Sequence, residues 1–359
     1  MKIIHCADLH LDSKMETNFS QEQAKQRRYE ILNTFEKMIE YAVKNCIEVI
    51  LIAGDMFDTP QNQQKTIKNR VIDAIRKANK IDFLYLQGNH DNDNFFKNMQ
   101  DKPNNLKLFK NEWSSYRYGN IAITGIEFQQ GKYIDIYSKL SLNENDFNIV
   151  TLHGQISKYG SDKNVEIINL TKLENKYIDY LALGHIHTFE KEKLDYRGIY
   201  CYPGVLEGRG FDEFGNKGFV VLDINNGNLS TEFISIAKRT FHEIIIDVTN
   251  HIETKAINKA IEEKLKNIFE DDIVKLILKG EILEDTEIDI DYINEKLKNK
   301  FYFSKLTNET EIKIDYSKYE KDISFKGEFI RKVKNLDVSD KEKGKIIKIG
   351  INAIVGKEV

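Results

Sequence analysis

Cysteine is scarce in this chain of 359 residues. The three cysteines, Cys6, Cys46 and Cys201, are odd in number, lie far apart and form no Cys-x-x-Cys pair. Such usage argues against a disulfide framework, because a framework needs paired cysteines in an oxidising compartment. We therefore predict a reduced, cytoplasmic protein in which the cysteines are small core residues.

Long apolar runs are also missing. No stretch approaches the ~18 consecutive apolar residues that a helix needs to span a bilayer. The opening segment, Met1–His5, has no apolar stretch long enough for a signal peptide, and it predicts the first core strand instead. With 31% charged residues and a mean hydropathy of −0.49, the composition is typical of a soluble protein without a membrane partner.

An excess of positive charge is the third absence. The chain has 53 Lys and Arg against 57 Asp and Glu, which gives a formal net charge of −4. A global basic field is therefore excluded. If nucleic acid is the substrate, the cationic residues must cluster locally, or a partner must supply part of the binding groove.

Histidine is scarce as well, but its placement is informative. The chain has eight histidines, and most of them lie in short motifs that each follow an apolar run. Because residues at the carboxyl ends of neighbouring strands converge on one crevice, we expect these side chains to meet. The motifs are Asp8-Leu9-His10, Gly54-Asp55-Met56-Phe57-Asp58, Gly88-Asn89-His90-Asp91, Leu152-His153-Gly154 and Gly184-His185-Ile186-His187.

The residue types in these motifs indicate a hydrolase that acts on phosphate esters with two metals. Two divalent ions about 3.5–4 Å apart can activate water and neutralise the phosphoryl oxygens. Asp55 is the best candidate for a bridging carboxylate, because it follows Gly54 at a sharp strand exit. Mixed oxygen and nitrogen donors suit Mn, Fe or Zn better than Mg alone. The predicted metal ligands are Asp8, His10, Asp55, Asn89, His153, His185 and His187.

His90 is predicted to be catalytic rather than a metal ligand. It follows Asn89 directly, so its ring can face the phosphate and stabilise charge or protonate the leaving oxygen. Asp91 would orient that ring, although a turn or capping role for Asp91, and for Asp12, is an equal alternative. Glu207 and Arg209 follow a Pro-Gly turn, and they either touch the substrate or form a surface ion pair, of which the ion pair is the preferred interpretation.

Helix and strand patterns alternate over residues 1–236 and predict a layered α/β sandwich built on two mixed sheets. The clearest signals are a helix over Gln21–Lys44 and an unbroken apolar strand over Val49–Ala53. The pattern changes near Arg239, where residues 240–315 predict a compact α+β module. Its predicted elements are a strand over 241–248, a helix over 251–269, a strand over 273–278, a helix near 292–297 and strands near 301 and 312.

The segment 322–359 predicts a helical C-terminal tail with two apolar stripes. The first stripe contains Phe325, Phe329, Ile330 and Val333, and the second follows a possible capping box that begins at Ser339. These stripes either pack on their own domain or bind a partner.

The series of motifs resembles the calcineurin-like metallophosphoesterase superfamily over about the first 236 residues. More narrowly, the chain resembles the SbcD-type DNA repair exonucleases and the related recombination nucleases of archaea and eukaryotes. Three segments carry this narrower resemblance: Ile3–Asp12, Ile52–Asp58 and Tyr202–Gly204. The resemblance implies an α/β fold, namely a four-layer α/β/β/α sandwich with a smaller α+β capping domain that touches DNA.

The resemblance also implies roles for individual residues. It assigns His90 as the catalytic histidine. Archaeal and eukaryotic relatives often have a second catalytic histidine at the position of Asp58, which here looks like the bacterial form. One metal would be held by Asp8, His10, Asp55 and His187, and the other by Asp55, Asn89, His153 and His185.

The family further implies DNA as substrate, two divalent ions that are usually Mn, and tail helices that bind an SMC-like (SbcC-type) ATPase. A homodimer is plausible by family. The leading hypothesis is thus a metal-dependent DNA exonuclease and endonuclease of a repair complex. A small-molecule phosphodiesterase or phosphatase on the same scaffold is the first alternative, since the metal site alone does not separate them. A mainly architectural partner of the ATPase is the second.

Overall fold

The computed structural model describes residues 1–15, 19–58, 65–89, 91, 96–97, 99–127, 136–156, 167–249, 254–283, 286 and 288–354. These residues form two compact units, Met1–Thr240 and Phe241–Val359. Within the described residues, no helix is both long and apolar enough to cross a membrane.

The first unit alternates strands with two long helices. In chain order its elements are β1 (Lys2–Cys6), α1 (Gln21–Lys44), β2 (Val49–Ala53), α2 (Lys65–Lys77), β3 (Asp82–Leu86), β4 (Leu106–Leu108), β5 (Ser114–Tyr118), β6 (Ile121–Gly125), β7 (Phe147–His153), β8 (Gln155–Ile156), β9 (Ile167–Ile168), β10 (Tyr180–Gly184), β11 (Glu190–Lys193), β12 (Ile199–Tyr202), β13 (Gly218–Asn225) and β14 (Asn228–Ser235).

Most of these strands belong to two mixed six-stranded sheets, as the sequence predicts. The first sheet has the order β14-β13-β1-β2-β3-β4, and the second has the order β11-β12-β10-β7-β6-β5. Strands β1 to β4 run parallel, whereas β13 pairs antiparallel to β1. In the second sheet β12, β10, β7 and β6 are parallel. The carboxyl ends of the central parallel strands in each sheet therefore lie at one edge.

The main hydrophobic core lies between the two sheets. Alternate residues of each strand point into it, because side chains on a strand alternate between faces. It joins Leu51 and Leu84 of the first sheet to Ile123 and Ile149 of the second. Cys201 is buried in the same core, and Cys6 is also buried, but Cys46 is exposed. The prediction that all three cysteines are core residues is therefore wrong for Cys46, which lies in the turn after α1.

Helix α1 confirms the prediction for Gln21–Lys44. It begins with a capping box between Ser20 and Gln23, and its apolar stripe, including Phe35 and Met38, is buried. Tyr41 contacts Phe219 of β13, so the helix packs on the outer face of the first sheet. The outer face of the second sheet is covered, among the described residues, by a 3₁₀ turn and irregular segments that bury side chains such as Leu173.

Buried charges connect α1 to two distant parts of the first unit. Arg27 is 0% exposed and pairs with Glu30 and Glu207. Glu207 also accepts hydrogen bonds from Thr34 and from the main chain of Arg239. The guanidinium of Arg239 in turn binds Glu30 at 2.7 Å. Glu207 is therefore part of a buried ionic cluster, and the interpretation of Glu207 and Arg209 as a surface pair is wrong.

The second unit contains the elements β15 (Phe241–Asp247), α3 (Thr254–Lys264), β16 (Ile273–Leu283), α4 (Ile290–Lys300), β17 (Phe303–Lys313), α5 (Phe325–Lys334) and α6 (Asp340–Ile354). Its three strands form a parallel sheet of order β15-β16-β17. The core of this unit includes Ile257 and Ile261 of α3, Ile293 of α4 and Leu276 of β16. The sequence predicts two short strands near 301 and 312, but the structure has one continuous strand, β17, there.

The two tail helices α5 and α6 belong to the second unit and form a small core of their own. Ile330, Val333 and Ile347 are buried there together with Tyr319. Ser339 and Glu342 exchange the reciprocal hydrogen bonds of the predicted capping box. Part of each predicted stripe therefore packs internally. Other apolar side chains of this tail remain exposed, namely Ile323, Phe325, Leu336, Val338, Ile349 and Ile354.

Candidate metal centre

Four predicted ligands sit where the chain leaves a strand with unusual backbone geometry. Asp8, His10, Asp55 and His185 have positive φ angles of 52°, 42°, 53° and 102°. Residues other than glycine rarely adopt this conformation, which costs about 1–3 kcal/mol and persists where the surroundings enforce it. Among the described residues, backbone strain is thus present at these four ligands, whose side chains turn into the crevice, and at five other non-glycine positions.

Main-chain hydrogen bonds between neighbouring loops enforce this geometry. The amide of Asp8 donates to the carbonyl of Gly54 at 3.1 Å, and that of His10 donates to the carbonyl of Asp55 at 3.0 Å. The loops after β1 and β2 thus continue the pairing of the two strands beyond the sheet. As a result, the first two motifs are held side by side.

One group of donors contains Asp8, His10 and His187. One ligand atom of each residue lies within 4.8 Å of the others, and both Asp8 and His10 are buried. The Asp8 carboxylate accepts a hydrogen bond from the amide of His185 at 3.0 Å, which ties the first motif to the last. We call this set the first cluster. It joins residues that follow β1 in one sheet and β10 in the other.

A second group, the second cluster, contains Asp55, His153 and His185, again within 4.8 Å. Nε2 of His153 lies 3.2 Å from Oδ2 of Asp55 and 2.9 Å from Oδ1 of Asn89. Oδ1 of Asn89 is also 3.2 Å from Nδ1 of His185. Oxygen and nitrogen lone pairs therefore converge on a small volume. The structure places Asp55 in this cluster, and its predicted bridging role remains a prediction.

The charges of the two clusters are strongly coupled. Burial raises the pKa of Asp8, and the surrounding imidazoles oppose this shift. Burial disfavours protonation of His153, but the charges of Asp55 and Asp8, together with the hydrogen bonds to Asp55 and Ala53, outweigh burial and raise the pKa to about 9. Burial and the charge of Asp55 raise the pKa of Asp91 to about 7. Several buried carboxylates so close together need positive charge nearby, which protons or metal ions supply.

Two carboxylates lie behind the imidazoles of the first cluster. Nδ1 of His10 donates to Asp58 at 2.5 Å, and Nδ1 of His187 donates to Glu213 at 2.7 Å. Metal-binding histidines commonly donate their other ring nitrogen to a carboxylate, which sets the tautomer and raises ligand basicity. The sequence prediction did not include Glu213. Its only signal was a Glu four residues after Arg209, which resembles an ordinary surface pair.

Asp91 and Asp12 both bind main-chain amides near the site. Asp91 accepts from the amides of Met56 and Phe57 at 3.1 Å and of Gly88 at 3.0 Å. Asp12 accepts from the amide of Asp58 at 2.5 Å. These contacts show both residues shaping the loops that carry ligands. His90 lies outside the described residues, so the predicted pairing of Asp91 with its ring remains a prediction.

The donor set fits two divalent ions. Each cluster offers imidazole nitrogen together with carboxylate oxygen, and Asn89 adds an amide oxygen to the second cluster. Such mixed sets suit first-row transition metals. The imidazoles of His10, His153 and His187 are also oriented by hydrogen bonds through their Nδ1 atoms, as expected of ligands rather than of solvated side chains.

Comparison with known proteins agrees with this site. The chain is 27% identical over 297 residues to the uncharacterized metallophosphoesterase YhaO of Bacillus subtilis, with 78% of this chain and 72% of that protein covered. It is 25% identical to the DNA double-strand break repair protein Mre11 of Sulfurisphaera tokodaii, covering 78% and 73%. For Mre11 of Sulfolobus acidocaldarius the identity is 22%, covering 79% and 76%.

The match to a protein family spans more than half of the chain. Residues 1–189 match the calcineurin-like phosphoesterase family. This segment contains all seven predicted metal ligands and both sheets' central strands. Members of the family bind two divalent metals, and the two donor clusters are the corresponding candidates in this chain. The chain therefore belongs to the calcineurin-like phosphoesterase family and is a metallophosphoesterase, as the motifs in its sequence predict.

Proposed function

We propose that this metallophosphoesterase is a DNA nuclease, with exonuclease and endonuclease activity, and that it is the nuclease subunit of a cytoplasmic DNA repair complex. The observation that carries the proposal is the pair of donor clusters at the carboxyl ends of strands from two sheets. The relatives from Sulfurisphaera tokodaii and Sulfolobus acidocaldarius, both named as DNA double-strand break repair proteins, support DNA as the substrate.

Each cluster is proposed to hold one ion. Asp55 would bridge them, because its motif is hydrogen-bonded to that of Asp8 and its carboxylate faces His153. When bound, two divalent ions supply a water-derived nucleophile and neutralise charge on the phosphoryl oxygens. Mn is the proposed metal, since the mixed donors suit it. The first ion would take Asp8, His10, Asp55 and His187, and the second Asp55, Asn89, His153 and His185.

His90 is proposed to face the scissile phosphate and to protonate or stabilise the leaving oxygen. Asp91 would hold the segment in place, because its carboxylate binds Gly88 on one side and the Asp55 loop on the other. The catalytic histidine would thus be positioned relative to the metals by the same carboxylate that shapes the metal-binding loop.

The second unit and its tail are proposed to serve substrate and partner. Residues 240–315 would cap the cleft and contact DNA, and 322–359 would bind an SMC-like ATPase. Exposed apolar side chains on the tail, such as Phe325 at 73% exposure, support a partner surface there. A homodimer is a further proposed assembly.

The test uses the full chain, metal-stripped and then reloaded with Mn. End-labelled duplex and single-stranded DNA, and the small diester bis(p-nitrophenyl) phosphate, are incubated with it, with and without the candidate ATPase. We expect Mn-dependent cleavage of both kinds of substrate. Activity on the small diester alone, with DNA intact even when the ATPase is present, would instead favour the small-molecule phosphodiesterase. Absence of all hydrolysis by Mn-loaded protein would contradict both enzymes and favour an architectural role.

A further inference from the structure

We propose that Arg209 is a positioning residue whose guanidinium fixes the two carboxylates behind the first cluster, and so controls metal affinity at one site of the two. The inference rests on the proposed two-metal site. The partners of Arg209 are the outer carboxylates, defined here as Asp58 and Glu213, and its Nη2 also lies 3.2 Å from Nδ1 of His187.

The outer carboxylates set the orientation of both imidazoles in the first cluster. Asp58 accepts from Nδ1 of His10, and Glu213 accepts from Nδ1 of His187. In this arrangement each ring presents its Nε2 side to the cluster. Any rotation of either carboxylate would therefore move a ligand nitrogen.

Arg209 joins these two carboxylates. Its Nη2 lies 2.9 Å and its Nε 3.2 Å from Oε1 of Glu213, while Nη1 lies 3.5 Å from Oδ2 of Asp58. The guanidinium is planar and presents its donors in a rigid fork, so one side chain restrains both acceptors at once. The Arg209 side chain is only 19% exposed, which limits competition from water.

The main chain around Arg209 is held as firmly as the guanidinium. Its amide donates to the second oxygen of Glu213 at 2.7 Å, so one carboxylate closes the turn and binds the side chain. The carbonyl of the preceding residue, Gly208, accepts a hydrogen bond from Nη2 of the buried Arg27 at 2.8 Å. Arg209 is thus anchored on helix α1 through Arg27, and it cannot swing away without breaking buried contacts.

The second cluster is supported differently. Nδ1 of His153 donates to the carbonyl of Ala53 at 2.8 Å, and Nδ1 of His185 faces Asn89. A main-chain carbonyl and an amide oxygen, rather than carboxylates, therefore face these two ring nitrogens. A defect at Arg209 should for this reason weaken one metal site and spare the other.

The experiment measures Mn bound per protein by equilibrium dialysis over a range of Mn concentrations. The proteins are wild type, Arg209→Gln, Arg209→Lys and Arg197→Gln. Arg197 is the matched control, because it makes a two-pronged ion pair with Asp179 in the same unit, outside both clusters. We expect Arg209→Gln to weaken one of two binding events about 10–100-fold and to leave the other unchanged. Arg197→Gln should retain both.

Arg209→Lys separates charge from geometry. A lysine ammonium is a point charge and does not span two carboxylates as the guanidinium fork does. We therefore expect Arg209→Lys, like Arg209→Gln, to bind Mn more weakly at one of the two sites. Full recovery with lysine would overturn the proposal, as would equal weakening of both sites in Arg209→Gln, or no change in either. Thermal unfolding of the metal-stripped variants identifies a general folding defect, which would also count against a role specific to one site.

A contact with substrate is the competing role for Arg209. If it positions ligands, hydrolysis of bis(p-nitrophenyl) phosphate by Arg209→Gln should fall at low Mn and recover at saturating Mn with an unchanged KM. A raised KM that persists at saturating Mn would overturn the positioning role. If the wild-type protein binds no Mn, the proposed function itself is contradicted. Failure of the proposed function can thus be told apart from failure of the role assigned to Arg209.

Discussion

Nδ1 of His153 donates a hydrogen bond to the carbonyl of Ala53 across the interface between the two sheets, at 2.8 Å. Ala53 ends β2 in the first sheet, and His153 ends β7 in the second. Because a carbonyl only accepts, this bond requires the proton on Nδ1 and directs Nε2 toward Asp55 and Asn89. The site is thus assembled where two strand ends from different sheets touch.

Asp55→Asn should remove metal binding at the second cluster and, if the bridge is correct, weaken the first. The amide retains the size of the carboxylate but lacks its charge. The loss of Mn affinity should therefore exceed the ~10–100-fold loss expected when a hydrogen-bond partner of a ligand is removed. Bound Mn per protein, measured after dialysis, checks this. Asp223→Asn on β13 is the control, and metal content equal to that of wild type in Asp55→Asn would contradict the ligand assignment.

Gly54→Ala should disrupt the contact between the sheets. Gly54 has φ = +100°, and an added Cβ would lie 2.0 Å from Nδ1 of His153. Gly215→Ala isolates the backbone cost, because it also has positive φ (+80°) but nothing within 4 Å of the new Cβ. We expect Gly215→Ala to lower the free energy of unfolding by about 1 kcal/mol. Gly54→Ala should lower the free energy of unfolding further and should also weaken Mn binding. Denaturant unfolding and metal content are the measurements, and equal effects would refute the steric argument.

The free energy of unfolding should fall in acid because Glu30 becomes protonated there. Burial opposes its ionisation, but the hydrogen bonds and positive charges of Arg239 and Arg27 together outweigh burial and lower its pKa below the ordinary 4.5. A carboxyl with a depressed pKa stabilises the fold fully above its unfolded pKa and loses this contribution as pH falls through the folded pKa. Unfolding free energies, measured with chelator from pH 7 downward, should therefore decrease below about pH 4.5.

Glu30→Gln should flatten that acid dependence and lower stability at pH 7. The cost is expected to be about 3–5 kcal/mol, because two buried guanidinium groups each lose one charged partner. Glu22→Gln, an exposed position on the same helix, is the control. An unchanged acid slope in Glu30→Gln would show that other carboxyls carry the pH dependence.

His90→Asn should abolish hydrolysis while both metals remain bound, because the proposed role of His90 is proton transfer and charge stabilisation rather than ligation. The expected loss is on the order of 10²–10⁴-fold in kcat. Hydrolysis of labelled DNA and Mn content are measured in parallel with His242→Asn, which lies in the second unit. Loss of metal in His90→Asn would make this residue a ligand instead.

Phe325→Asp should weaken binding of the ATPase without unfolding the protein, because Phe325 is 73% exposed and contributes little to the core of the tail. Phe269→Asp is a close control, since Phe269 is 77% exposed in the same unit but lies outside the tail. Co-purification with the ATPase and thermal unfolding are the measurements. Equal binding by both variants would remove Phe325 from the partner surface.

Local patterns in the sequence predicted a helix or strand correctly where the residues of that element alone show which side of it is buried. Helix α1 has a capping box and a continuous apolar stripe, and the strand Val49–Ala53 is apolar throughout. The two short strands expected near 301 and 312 were wrong, because Phe301 caps a helix and Ile312 lies in one long strand. Polar residues that face solvent at one edge of a sheet obscure such a strand in the sequence.

By itself, the sequence determined which residues can carry the chemistry: scarce histidines and acidic side chains placed directly after apolar strands, in an order typical of this family. The tertiary structure decided which of them meet, because convergence depends on strand order in two sheets and not on distance along the chain. It also decided the support of the site. Glu213 and Glu207 resemble surface acids in the sequence, yet packing buries both, and burial makes a carboxylate bind whichever donor the fold brings to it.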